Sequence, residues 1–118
     1  SIRLDIMPSA VFTDPEVATV GLTDDACKKE GITCKVHKGF YRSNGKALAD
    51  EATEGLAKII TDDEGRIIGC HILGAHAADI VQEIAALMNQ DVTLAQLADI
   101  VHIHPTLGEI IQDIAINS

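Results

Sequence analysis

Leu56-Ala57-Lys58-Ile59-Ile60-Thr61-Asp62-Asp63-Glu64-Gly65-Arg66-Ile67-Ile68-Gly69-Cys70-His71-Ile72-Leu73 places two runs of branched apolar residues on either side of an acidic tetrapeptide ending in glycine. Branched side chains favour the pleated backbone, and a short polar connection with a terminal glycine suits a reversal, so the stretch predicts a β-hairpin with strands at 56–61 and 66–73. Upstream, Ala10-Val11-Phe12-Thr13 and Val17-Ala18-Thr19-Val20-Gly21-Leu22 predict two more short strands around the turn signal Asp14-Pro15. Thr23 offers a hydroxyl cap, Asp24 and Asp25 suit the positive end of a helix, Lys28 and Lys29 the negative end, and Gly31 a stop; a helix over 24–30 follows. Thr33 to Arg42 alternates poorly but ends in Phe40-Tyr41, ahead of the turn cluster Ser43-Asn44-Gly45.

Downstream of the hairpin the period changes. Ile80, Val81, Ile84, Leu87 and Met88 recur at spacings of three and four, giving one apolar face on a helix over 76–90. Thr93-Leu94-Ala95-Gln96 and Thr106-Leu107-Gly108-Glu109 both have the form of a capping box, and each precedes apolar positions at helical spacing. Strands first and helices afterwards, without βα alternation, predict an α+β fold: an antiparallel meander with helices packed on it.

With 118 residues and 47% hydrophobic content, the chain can build one core, and residues 1–118 read as a single domain. A formal net charge of −9 opposes phosphate backbones and anionic membrane surfaces, and no apolar run of 18 residues is present, so neither nucleic acid nor a membrane is an expected partner. Three cysteines, Cys27, Cys34 and Cys70, without any C-x-x-C, fit free thiols in a reducing cytoplasm better than a disulfide framework or a zinc knuckle. Starting at Ser1 without methionine or a signal-peptide pattern, the chain reads as an excised piece.

Chemistry concentrates in His102-Ile103-His104-Pro105-Thr106-Leu107-Gly108-Glu109. A turn at Pro105 can bring the His104 imidazole to the Glu109 carboxylate, and such contact raises a histidine pKa by roughly 1 unit, giving an acid–base group near neutral pH. The residues also fit a plainer account, with Glu109 closing a capping box on Thr106 and His104 bonded to nearby backbone. His102 and His104 on an extended chain would share a face, with His71 and His76 as further nitrogen donors, yet no carboxylate or cysteine completes a metal site locally, and none is expected. His37 reads as a solvated strand residue.

The run His102-x-His104-Pro105-Thr106-Leu107-x-Glu109 resembles the C-terminal interface domain of FAD-dependent pyridine nucleotide-disulfide oxidoreductases, and most of all its dihydrolipoamide dehydrogenase branch. The resemblance extends from Pro8-Ser9-Ala10-Val11-Phe12-Thr13-Asp14-Pro15-Glu16 to Ile114, through Val20-Gly21-Leu22-Thr23, Ser43-Asn44-Gly45-Lys46-Ala47 and Gly69-Cys70-His71-Ile72-Leu73-Gly74, with Lys46 and Asp79 where arginine and glutamate are usual. It implies an FAD/NAD-linked reductase dimerisation-domain fold and a homodimer. It also implies that His104 exchanges protons with the dithiol site of the other subunit, that Glu109 orients it, that a cis peptide precedes Pro105, and that the backbone of His104 and Pro105 faces the partner's flavin. Electrons would pass from dihydrolipoamide through a disulfide and FAD to NAD, with lipoyl-bearing complex subunits as possible partners of the parent. No G-x-G-x-x-G is present, so FAD and NAD are expected on other domains of the parent and not on this one, which alone should be inactive. Glutathione reductase-like, mercuric reductase-like and transhydrogenase-like enzymes share such a domain; a stand-alone homodimeric interaction module is the alternative outside catalysis.

Overall fold

A computed structural model describes residues 6–12, 16–40, 55–103 and 107–117, with the backbone alone at Phe40, His102, Ile103 and Glu109. The elements are β1 (Ser9–Val11), β2 (Val17–Gly21), α1 (Asp24–Lys29), β3 (Lys35–Phe40), β4 (Leu56–Thr61), β5 (Ile67–Leu73), α2 (Ala77–Met88), α3 (Leu94–Ile103) and α4 (Glu109–Ile116). The turn signals Asp14-Pro15 and Ser43-Asn44-Gly45 lie outside the described residues. The predicted α+β architecture is present: one antiparallel sheet in the order β1-β2-β5-β4-β3, with helices packed on it. Strands β3, β4 and β5 form a meander, but β5 also pairs with β2, so β2 and β3 lie two strands apart and α1 makes the crossing between them.

The central hairpin is as the sequence predicts, and its turn explains the acidic tetrapeptide. Asp62 Oδ1 accepts from the backbone N–H groups of Glu64 and Arg66, both at 2.9 Å, while Gly65 takes the left-handed conformation at φ 82 that side chains disfavour. The α2–α3 connection docks on the same turn: Ile67 N–H donates to Val92 O at 3.0 Å and Leu94 N–H to Gly65 O at 2.8 Å.

Both faces of the sheet are covered. On one, Ala18, Val20, Ala57, Ile59, Cys70 and Ile72 meet Ile80, Val81 and Ile84 of α2, Leu97 and Val101 of α3, and Ile111 and Ile114 of α4. On the other, Cys27 of α1 packs against Ile60 and Ile68. A bulge allows this: Ile60 pairs with Gly69 and Thr61 with Ile67, leaving Ile68 unpaired on β5. Ile67 therefore enters the helix-side core and Ile68 the second cluster, and the freed Ile68 carbonyl accepts from Leu22 N–H at 2.9 Å. Each isoleucine buried this way contributes about 1.5 to 3 kcal/mol.

The helix ends divide into those that follow local rules and those that do not. Thr23 caps α1, its hydroxyl accepting from Ala26 N–H at 3.0 Å. Thr93 and Gln96 form the expected reciprocal box, Thr93 N–H donating to Gln96 Oε1 at 2.9 Å and Gln96 N–H to Thr93 Oγ1 at 3.1 Å. α2 starts from His76 in the left-handed region at φ 62 with no side-chain cap of its own; Glu16, far away in sequence, supplies one by accepting from Ala78 N–H at 2.8 Å. The second expected box is corrected: α4 has Gly108 as its N-cap, so Glu109 is the first helical residue instead of the third, and Leu107 is a buried residue ahead of the helix.

Gly69 fixes how the chain leaves β2, because a Cβ there would stand 2.0 Å from the Leu22 carbonyl oxygen. A Gly69→Ala change is expected to cost about 3 kcal/mol or more through forced backbone separation. Gly31→Ala, where nothing lies within 4 Å of the added carbon but φ is +71, should cost only about 1 kcal/mol. Urea unfolding of the two variants checks the ranking.

Candidate active site

His104 and Pro105 lie outside the described residues, and of Glu109 the backbone alone is described. What the structure does place is the frame around them. α3 runs to Ile103, with Val101 in its last turn buried in the helix-side core. On the far side Leu107 is buried at 4% exposure, and Gly108 abuts α2 so closely that a Cβ on it would lie 2.7 Å from Ile80 Cδ1. α3 and α4 pack against each other, and α4 lies on β3 and β4. The residues from 104 to 108 thus join the C-terminus of one buried helix to the N-terminus of another, with an anchor on either side.

Two other histidines, His37 and His71, are engaged in the fold through their rings. The backbone of His102 belongs to α3. His71 Nε2 is 2.7 Å from the Leu22 carbonyl oxygen, which occupies one nitrogen of that ring. Among the described residues no three His, Cys, Asp or Glu side chains gather as a metal site would require. His37 departs from its expected solvated role: it is half-buried, with Nε2 3.0 Å from the hydroxyl of the buried Thr61. Desolvation first, and the charge of Lys35 second, hold its pKa below 6.5.

Sequence spacing gave no reason to pair two of the three thiols, yet the fold does so. Cys27, on the buried side of α1, and Cys34, just before β3, return to one small cluster over Ile60 and Ile68. Burial, then the hydrogen-bonding Cys34 side chain, pushes the Cys27 thiol up to about 11. Cys70, enclosed in the helix-side core, is pushed up to about 12 by burial alone. Nearby, Lys58 Nζ lies 3.3 Å from Asp24 Oδ1 and holds that carboxyl below its ordinary value. The signal that could have found the thiol pair is topological: a turn at Gly31 folds the chain back beside α1, with Ile32 N–H donating to Cys27 O at 2.8 Å.

With this frame described, comparison with known proteins is decisive. Residues 7–115 match the family described as "Pyridine nucleotide-disulphide oxidoreductase, dimerisation domain". The chain belongs to that family. It is 40% identical over 112 residues to a dihydrolipoyl dehydrogenase of Synechocystis, covering 91% of this chain and 24% of the relative. It is 39% identical over 119 residues to dihydrolipoyl dehydrogenase 3 of Haloarcula marismortui, covering 100% of this chain and 25% of that one. The dimerisation domain here therefore spans about a quarter of the length of the curated relatives it matches. Among solved structures, LpdA from Mycobacterium tuberculosis superposes with a TM-score of 0.85 at 26% identity, covering 98% of this chain and 26% of that one. The flavoprotein disulfide reductase RclA from Escherichia coli shares the fold, with a TM-score of 0.83 at 22% identity over 94% of this chain and 26% of its own.

His37 gives this dimerisation domain a measurable acid response. Its folded-state pKa is lowered, so the unfolded chain binds the proton more readily, and stability is retained above 6.5 and lost as pH falls through and below that value. A His37→Gln variant should lose less stability than the parent sequence when thermal unfolding is compared between about pH 7.5 and pH 5.5. Equal slopes would show that His37 does not contribute.

Proposed function

We propose that the chain is the dimerisation domain of a dihydrolipoamide dehydrogenase-like FAD-dependent oxidoreductase, and that it supplies His104 and Glu109 to the dithiol and flavin site of a partner subunit. The observation that carries this reading is the 40% identity to a protein named dihydrolipoyl dehydrogenase across 91% of the chain, together with the run from His102 to Glu109. On this reading residues 1–118 are one interface domain, and the FAD- and NAD-binding domains belong to the remainder of the parent, a homodimer.

The chemistry of the residues present suits that division. The chain has no glycine-rich phosphate cradle and a net charge of −9, so it is poorly suited to a pyrophosphate; an imidazole and a turn backbone suit the edge of a flavin ring. His104 and Pro105 would face the flavin. When bound elsewhere in the parent, FAD and NAD supply the electron transfer from dihydrolipoamide by way of the redox disulfide. The contribution of this chain is a proton site: His104 accepts the proton of the incoming thiol at a ring nitrogen, because the thiolate is the species that attacks a disulfide, and Glu109 orients and stabilises the imidazolium. Val101 and Leu107 on the flanks of that segment are buried and Gly108 abuts Ile80, which suits a proton transfer at a fixed distance.

Lipoyl-bearing subunits of a larger complex are the partners this reading suggests for the parent. The three free thiols suit a reducing compartment, the cytoplasm in the first instance. Among the described residues no helix is long and apolar enough to cross a membrane.

The test is made on the flavin-containing full-length protein, following NAD reduction by dihydrolipoamide beside NADPH oxidation by glutathione disulfide. His104→Gln is expected to lower lipoamide turnover by about two to four orders of magnitude with flavin content unchanged. Glu109→Gln should shift the histidine-controlled limb of the pH–rate profile to lower pH by roughly 1 unit, since the carboxylate holds the imidazolium. Undiminished turnover in His104→Gln would remove His104 from the mechanism, and a colourless, inactive protein would return the domain to a purely structural role.

A further inference from the structure

Cys27 and Cys34 lie on the face of the sheet opposite the layer of α2, α3 and α4, and nothing in the proposed reaction uses them. We propose that they form a reversible thiol–disulfide pair that responds to low-molecular-weight disulfides. Three observations carry this. The two side chains share one cluster: α1 ends at Lys29, Gly31 at φ 71 reverses the chain, and Cys34 packs back against the group that Cys27 makes with Ile60 and Ile68. Their exposure is unequal, Cys27 being fully buried and Cys34 half-buried, so an outside disulfide reaches Cys34 first. The turn between them faces open space, since a carbon added at Gly31 meets nothing within 4 Å. Cys70 lies in the helix-side core, on the other side of the sheet, and serves as an internal comparison.

The exchange balances as two displacements. The Cys34 thiolate attacks one sulfur of the external disulfide, forming a mixed disulfide and releasing one small thiolate. Cys27 then loses its proton and attacks Cys34 Sγ; the Cys27–Cys34 bond forms, the mixed disulfide breaks and the second small thiolate leaves. The two protein protons end on the two small thiols, the protein pair is oxidised by two electrons, and the external disulfide is reduced by two. The high pKa of buried Cys27, about 11, agrees with its acting second, after the mixed disulfide has formed beside it. The bond would tie the end of α1 to the start of β3, the edge strand that begins at Lys35.

The full-length protein, kept native, would be equilibrated with a series of reduced and oxidised glutathione mixtures, quenched with N-ethylmaleimide and digested with trypsin. Cleavage at Lys28 and Lys29 separates the two cysteines, so their disulfide appears in mass spectra as a cross-linked peptide pair. The expected result is that this pair accumulates with oxidised glutathione, disappears with dithiothreitol and is absent in Cys34→Ser, while Cys27→Ala traps a glutathione adduct on Cys34. A wild-type protein that holds the glutathione adduct on Cys34 without cross-linking, that joins Cys34 to Cys70, or that forms the pair only in denaturant would overturn the proposal. Lipoamide turnover is not part of the readout, so the result stands whether or not the proposed activity is correct.

Discussion

The chain leaving β2 crosses β5 at a distance that admits no side chain, and the rest of the domain is arranged around that crossing. A Cβ on Gly69 would fall 2.0 Å from Leu22 O, and one on its cross-strand partner Gly21 would fall 2.3 Å from Ile68 O. Two facing glycines and a bulge at Ile68 let the chain step onto the second face of the sheet, where α1 covers the apolar residues that the hairpin could not otherwise bury. The same crossing carries β3 to the far edge of the sheet, beside β4, and so converts a simple meander into the order β1-β2-β5-β4-β3. Burial on both faces is the reason the central hairpin reads as nearly continuous branched hydrophobics instead of alternating.

Placement of the acid–base segment follows from the other face. α2 covers β2 and β5, α4 covers β3 and β4, and α3 closes against α4, so the residues on either side of that segment belong to the helical layer. Its flanks, Val101 and Leu107, are core residues, and the absence of a side chain at Gly108 lets the backbone press against Ile80.

Much of this was legible in the residues, and the limits are physical. The hairpin, the Thr23 cap, the Thr93–Gln96 box and the apolar stripe of α2 are local, depending on neighbours within a few positions, and the sequence patterns for them are direct. Glu16 capping α2 depends on a residue 62 positions away, which no local pattern encodes. Thr106-Leu107-Gly108-Glu109 has the letters of a capping box, yet with Leu107 packed into the core α4 starts two residues later than the box would place it. His37 and the Cys27–Cys34 contact were missed for the same reason as Glu16: each meets its partner only after the sheet has formed. The chemistry proposed for His104 and Glu109 rests on a motif, because an imidazole five residues before a carboxylate has no role that its local sequence can fix.

The proposed thiol pair and the helices α3 and α4 lie on opposite faces of one sheet, and the elements between them decide whether they can communicate. β3 begins at Lys35, one residue after Cys34, and near its other end Gly39 admits α4 so closely that a Cβ would lie 2.9 Å from Ile114 Cγ1. A bond from Cys27 to Cys34 would pull on the first residues of β3, but every residue of that strand is registered against β4, from Lys35 with Thr61 to Phe40 with Leu56. A displacement entering at Lys35 therefore meets four paired positions, Lys35 to Lys38, before it reaches Gly39 against α4, and a packed sheet resists continuous deformation. The consequence is a division of effect: closing the thiol pair raises the stability of the β3 edge against local opening, while the geometry around Glu109 stays as the core has set it.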